Sequence, residues 1–313
     1  MSTHTTLILG DTTYPWIDIV DRGARAATGL AEFGVNRNDS IALLLRNDPP
    51  FFEVTTAAQR LGAYSVPINW HFTADEVLHV LRDSNAKALV VHADLFHGIR
   101  DRLPEELLVL VIETPSTIQA AYAIDPILCQ VPNDMHSWSD WLSNHPPRNI
   151  QPDSVPTAMM YTSGTTGRPK GVRREAASAE QADKLRSTEP QVLGNRPGMR
   201  VVICGPLYHA APIHFARVAL DTGTLMVLQP RFDALELLQL IQRHCITGMF
   251  LAPIMFVRLL KLPESQRLQY DISSLEHVIH AGAVCPPSIK RAMIDWWGPV
   301  IHEFYGSTES GVI

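Results

Sequence analysis

Ser40-Ile-Ala-Leu-Leu-Leu45 is a short, nearly continuous apolar run, followed by Pro49-Pro50, a stretch from Phe51 to Leu61, Gly62, and then Tyr64-Ser-Val-Pro-Ile68. A run of this length without polar alternation is the pattern of a strand covered on both faces. Pro49 and Pro50 suit a helix start, because the first helical positions need no N–H donor. Gly62 then ends the helix and a second strand follows. Downstream, Thr73 with Glu76 three residues on writes a capping box, and Ala88 to His92 reads as a third strand. Upstream, Ile17, Val20, Ala24, Ala27 and Leu30 fall at helical spacing before Gly34, a favourable left-handed C-cap. Strand and helix alternate, which predicts an α/β chain of mostly parallel sheets with helices on both faces.

The alternation continues outward from this segment. Leu107 to Ile112, Arg200 to Cys204, Thr224 to Leu228 and Met249 to Leu251 read as strands; Asp233 to His244 and Pro286 to Trp297 read as helices. Between Thr114 and Asp153, prolines at 115, 126, 132, 146, 147 and 152 predict a connection without core elements. Two subdomains are expected, 1–175 and 176–313.

Composition bounds the function. The chain has 313 residues, 46% apolar and 19% charged, with 26 Lys plus Arg against 32 Asp plus Glu, a formal net charge of −6. That length supports a substantial core, and the acidic balance offers no field for a nucleic-acid backbone. Cys129, Cys204, Cys245 and Cys285 lie far apart and form no C-x-x-C pair, so neither a zinc ribbon nor a disulfide framework is written here. The apolar run Met249 to Val257 is broken by Pro253, and no signal-peptide pattern opens the chain, which predicts a cytoplasmic protein without a membrane span. No G-x-S-x-G elbow and no G-x-G-x-x-G fingerprint occurs, which weighs against a serine hydrolase or a dehydrogenase.

The most informative chemistry lies in Tyr161-Thr-Ser-Gly-Thr-Thr-Gly-Arg-Pro-Lys-Gly-Val172. Glycines let backbone N–H groups turn inward toward an anion, hydroxyls donate further hydrogen bonds, and Lys170 adds a compact charge, so a nucleotide triphosphate is the expected ligand. It is not a Walker loop: Pro169 stands where the second glycine would be, and Gly171-Val172 follows the lysine, so a strand or hairpin is expected instead of a helix. Farther on, the small residues of His280-Ala-Gly-Ala-Val-Cys285 would let a flat ring lie against the backbone.

Tyr161 to Val172 resembles the signature of the acyl-adenylate-forming superfamily, which holds acyl-CoA synthetases, luciferases and the adenylation domains of peptide synthetases. Gly205-Pro-Leu-Tyr-His-Ala-Ala-Pro212 is similar to the family's carboxylate-pocket segment, and Phe304-Tyr-Gly-Ser-Thr-Glu309 to its Tyr-Gly-x-Thr-Glu element. Asp39 to Asn47 and Gly62 to Asn69 also resemble the family, so the similarity covers nearly the whole chain. The resemblance implies a large N-terminal domain of an adenylate-forming enzyme of the acyl-CoA synthetase branch. It implies that Thr162, Ser163, Gly164, Thr165, Thr166, Gly167 and Lys170 wrap the phosphates, that Gly282 and Ala283 line the adenine site, and that Tyr305 and Gly306 carry the aromatic stacking element. It further implies His209 beside the acyl group, Thr308 on the α-phosphate and Glu309 holding Mg²⁺. ATP and Mg²⁺ are the expected cofactors, coenzyme A the co-substrate and a carboxylic acid the substrate. Tyr208-His209 places no acidic residue where amino-acid-activating relatives have one, which favours an uncharged acyl chain, fatty or of a related class, with bile-acid-like and aryl acids as alternatives. The chain ends at Ile313, shortly after Glu309, so the expected protein is an N-terminal portion without the small lid domain and its lysine, with weak or no adenylation alone. The alternatives are a non-catalytic nucleotide- or acyl-binding remnant, or half of a split enzyme completed by a homodimer or a partner chain.

Overall fold

The computed structural model describes residues 5–150, 152, 154–162, 167–222, 225–307 and 311–312. They form two units, Ile17–Asp183 and a second made of Met1–Trp16 with Lys184–Ile313. Where the sequence reading divides the chain at 175, the structure divides it after Asp183 and assigns the amino-terminal hairpin to the later unit. That hairpin is β1 (Thr6–Leu9) and β2 (Thr12–Pro15), and α1 (Trp16–Glu32) follows it.

In the unit of residues 17–183, the chain runs through β3 (Ser40–Leu44), α2 (Pro49–Leu61), β4 (Tyr64–Pro67), α3 (Ala74–Asp83), β5 (Ala86–His92), α4 (Ala93–Phe96) and β6 (Leu108–Ile112). It continues with α5 (Ser116–Tyr122), β7 (His136–Ser137), α6 (Trp138–Ser143), β8 (Met160–Thr162) and β9 (Lys170–Val172), before α7 (Ala179–Leu193). Five strands form one parallel sheet in the order β4-β3-β5-β6-β7. The local signals act as expected. Gly62 caps α2 at φ 66°, a left-handed conformation that costs glycine little. The Thr73 N–H donates to Glu76 Oε2 at 2.7 Å while the Glu76 N–H donates to Thr73 Oγ1 at 3.4 Å, the reciprocal box that starts α3. Every residue of β3 is buried, as a strand covered on both faces requires.

The stretch expected to be a plain connection is corrected by the structure. Between Thr114 and Asp153 lie α5, a 3₁₀ turn at Pro126–Cys129, the sheet strand β7 and helix α6, and Trp138 is buried with 1% exposure. Two of the six prolines read as breakers act as initiators: Pro115 is the N-cap of α5 and Pro126 opens the 3₁₀ turn, positions where a missing N–H costs nothing.

The second unit contains β10 (Arg200–Ile203), α8 (Ala210–Asp221), β11 (Leu225–Leu228), α9 (Ala234–His244), β12 (Gly248–Leu251), α10 (Pro253–Leu260) and α11 (Glu264–Arg267). After these come β13 (His277–His280), α12 (Pro287–Trp297), β14 (Ile301–Glu303), and the short pair β15 (Gly306–Ser307) and β16 (Gly311–Val312). Its sheet has seven strands in the order β14-β13-β12-β10-β11-β1-β2, parallel except for the β1–β2 edge. From β10 the chain steps to β11 on one side, then crosses back to lay β12 on the other, so the strand order reverses between β10 and β12. A core of Val202, Leu237, Ile241, Met249, Leu251, Phe256, Val278, Met293 and Trp297 packs against this sheet. The four cysteines are free thiols, and burial pushes that of Cys204 up to about 12, so it stays protonated and inert. Among the described residues, no helix is long and apolar enough to cross a membrane.

One stacked pair, His277 half-buried and His302 exposed, carries a pH dependence in the second unit. The rings of His277 and His302 stack with centroids 4.0 Å apart. Burial, followed by the neighbouring His302 charge, lowers His277 from its ordinary 6.5 to about 4. The folded imidazole therefore takes its proton later than the unfolded one, so its contribution to stability is present above pH 6.5 and is lost as the pH falls toward 4. Melting curves across this window are expected to fall less steeply for His277→Asn than for the wild type; parallel curves would refute the assignment.

Candidate functional site

The glycine- and hydroxyl-rich segment forms a hairpin in the unit of residues 17–183. Strands β8 and β9 pair antiparallel, with Met160 opposite Val172, Tyr161 opposite Gly171 and Thr162 opposite Lys170. Thr162 and Lys170 are thus the last pair before the loop, and directly opposed residues project on the same side of a two-stranded ribbon. The Lys170 side chain is exposed. Gly167 takes φ 91°, and among the described residues no atom lies within 4 Å of where a Cβ would stand. The strand expected after the lysine is present as β9. Ser163, Gly164, Thr165 and Thr166 lie outside the described residues.

Side chains that the sequence reading missed tie this hairpin down. The Tyr161 hydroxyl donates to Asp83 Oδ2 at 2.6 Å, and His79 Nε2 lies 3.0 Å from the Pro169 carbonyl. Both partners come from α3, one turn apart. Burial, then the hydrogen bond to Asp83, push the Tyr161 phenol above its ordinary range, so it remains a donor. On the β4 side, the Met159 N–H donates to the Ser65 carbonyl at 2.9 Å, and the Tyr64 hydroxyl to the Arg174 carbonyl at 2.9 Å. The Arg173 guanidinium lies 4.4 Å above the Tyr64 ring. The i, i+4 spacing of His79 and Asp83 was visible in the sequence, but nothing local to α3 pointed to Tyr161.

In the second unit, the other motifs leave the carboxyl ends of parallel strands, where ligands of open α/β sheets bind. The segment Gly205–Pro212 follows β10 at the point where strand order reverses. His209 sits at the N-cap of α8, exposed, its ring 4.4 Å from that of the buried Tyr208. A Cβ on Gly205 would stand 2.9 Å from Pro212 Cγ, so this segment folds back tightly on itself.

Strands β13 and β14 are direct neighbours with His280 opposite Glu303, so the segments starting at Ala281 and Phe304 leave the sheet side by side. Gly282 has φ 84° with no atom of the described residues within 4 Å of where a Cβ would stand, Ala283 is exposed, and Tyr305 is 76% exposed. Two short residues beside an uncovered aromatic ring form a surface on which a flat heterocycle can lie. Gly306 opens β15, which pairs with β16. Lys290 Nζ donates to Glu303 Oε2 at 2.7 Å and holds that carboxyl below its ordinary range, leaving a fixed charge at the base of these loops. Next to it, burial lowers the fully enclosed His280, a neutral ring set edge-on to Phe256. Thr308 and Glu309 lie outside the described residues, and among the described residues no group of three or more His, Cys, Asp or Glu could hold a metal ion. The structure thus groups Thr162, Gly167 and Lys170 in one unit. In the other it groups Gly282, Ala283, Tyr305 and Gly306, with His209 two strands away, about 10 Å along the same edge.

The 4-coumarate–CoA ligase 1 of Petroselinum crispum is 29% identical, covering 96% of this chain and 53% of that protein. The medium/long-chain-fatty-acid–CoA ligase FadD8 of Mycobacterium tuberculosis is 26% identical, covering 98% of this chain and 52% of that protein. Among solved structures, the anthranilate CoA ligase AuaEII in complex with anthranoyl-AMP shares the fold, with a TM-score of 0.83 at 24% identity over 97% of this chain and 57% of that one. The chain spans about half the length of the curated relatives it matches. The AMP-binding enzyme family matches residues 2–313, and the chain belongs to that family.

Proposed function

We propose that this chain binds ATP and a carboxylate with an uncharged acyl chain for an acid–thiol ligase reaction. The carboxylate oxygen attacks the α-phosphorus, a P–O bond forms, and pyrophosphate leaves to give acyl-AMP. The thiol sulfur of coenzyme A then attacks the acyl carbon, AMP leaves, and the thiol proton passes to solvent. The observation that carries this reading is the opposed pair Thr162 and Lys170 at the mouth of a glycine- and hydroxyl-rich hairpin. Such a mouth sets a hydroxyl donor and a cation against one phosphate group while loop N–H groups meet the rest. Catalysis would rest on holding carboxylate and α-phosphorus in line and on donors already in place for the developing charge.

His209, at the reversal of strand order, is assigned to the acid. Gly282, Ala283, Tyr305 and Gly306 are assigned to adenine, and Thr308 to the α-phosphate. Mg²⁺ enters as the ion that accompanies ATP; when bound, with Glu309 as its carboxylate, it would offset the charge of the phosphates. We assign the acid to the fatty or a related acyl class, because Tyr208-His209 offers no counter-charge to an amino acid's ammonium. We assign the reaction to the cytoplasm, one compartment in which ATP and coenzyme A are both available.

Two measurements test the proposal. Calorimetry with Mg·ATP is expected to show about tenfold weaker binding for Lys170→Ala, whose exposed side chain leaves the melting temperature unchanged. Equal affinities would remove the phosphate assignment. Exchange of labelled pyrophosphate into ATP, run with fatty, aryl and amino acids, names the acid: turnover confined to amino acids would overturn the reading of Tyr208-His209.

A further inference from the structure

We infer that His79 and Asp83, side by side on α3, are positioning residues that set the geometry of the phosphate-binding hairpin and thereby its affinity for the triphosphate. The inference rests on the nucleotide-binding reading of that hairpin. Each arm has only three residues, too short to keep a fixed shape alone, since even longer isolated hairpins are marginal in water. A loop that binds an anion through backbone N–H groups gains most when those groups are already in place.

The tethers fall where such fixing is needed. Tyr161, bonded to Asp83, precedes Thr162 directly; Pro169, whose carbonyl meets His79, precedes Lys170 directly. Both members of the opposed pair are thus adjoined by a residue held to the same helix. Gly171 completes the device: a Cβ there would stand 2.8 Å from Tyr161 Cζ and 3.0 Å from its hydroxyl oxygen, so only glycine leaves the phenol room to lie across the ribbon and reach Asp83. His79 and Asp83 belong to none of the motifs, and they act through Tyr161 and Pro169, the residues that precede Thr162 and Lys170.

The test uses the full chain, with Mg·ATP and adenosine as separate probes in calorimetry. Asp83→Ala and Tyr161→Phe each remove the same hydrogen bond. Each is expected to weaken Mg·ATP binding about tenfold, and the double variant no further, because the bond is lost only once. His79→Ala is expected to act similarly and His79→Gln, which keeps a donor, to restore most of the affinity. Adenosine, which carries no phosphate, is expected to bind all variants equally, whereas general loosening would weaken both ligands and lower the melting temperature. Wild-type chain that binds no Mg·ATP would overturn the nucleotide reading and this inference with it. Wild-type binding with unchanged affinity in Asp83→Ala, Tyr161→Phe and His79→Ala, or additive losses in the double variant, would overturn the inference alone.

Discussion

Replacing Arg46 by Met is expected to cost about 3–5 kcal/mol of unfolding free energy, because it leaves a buried carboxylate without its counter-charge. Arg46 Nη1 and Nη2 each meet one oxygen of Asp94 at 2.8 Å, and both side chains are under 8% exposed. The Thr114 hydroxyl donates to the same carboxylate at 2.7 Å. Burial would raise the Asp94 carboxyl, but the hydrogen bonds and charge of Arg46, aided by Thr114, outweigh it and hold the group below its ordinary 3.8. The neighbouring His92 closes the network: the Arg46 N–H donates to Nδ1 at 3.1 Å, so Nε2 carries the proton and donates to Asp48 at 2.9 Å. Urea unfolding of Arg46→Met against Arg46→Met/Asp94→Asn checks the cause. Removing the second charge is expected to return much of the loss, since the penalty belongs to the unpaired ion. A double variant as unstable as the single one would refute it.

Trp138→Ala is expected to cost at least as much, about 3–5 kcal/mol from lost packing alone. The indole is fully enclosed, and its Nε1–H donates to Glu53 Oε2 at 2.6 Å, while Arg22 Nε donates to the other oxygen at 2.6 Å. Burial raises the Glu53 carboxyl above its ordinary 4.5 despite these donors. Trp138→Phe separates the two effects, keeping most of the ring and deleting the donor. Its cost is expected to grow as the pH rises above 4.5, because the ionised carboxylate then lacks one of its two supports. A pH-independent loss for Trp138→Phe would assign the whole effect to packing.

Both residues have surroundings that the sequence did not disclose. Trp138 falls in the proline-rich stretch expected to be a connection; composition marked the prolines but not that two of them start turns leading to a buried indole. Arg46 belongs to a segment correctly read as following a strand, yet its partner is 48 residues away. The α1 face shows the same limit on a smaller scale: Ile17 fits the helical spacing but is 56% exposed, while Ile19 is buried.

What the residues settle among near neighbours was readable directly. The left-handed end of α2 at Gly62 and the capping box at Thr73 and Glu76 each depend on atoms within a few residues, where propensity and hydrogen bonding act without help from the rest of the chain. So did the composition of the phosphate loop and the α/β class. Strand order, the placing of Thr6–Leu9 beside Leu225–Leu228, and the bond from Tyr161 to Asp83 across 78 residues were not readable. Each pairs groups whose meeting depends on the closure of long intervening segments, an entropy that only collective burial of the core offsets, so no local pattern encodes the partner.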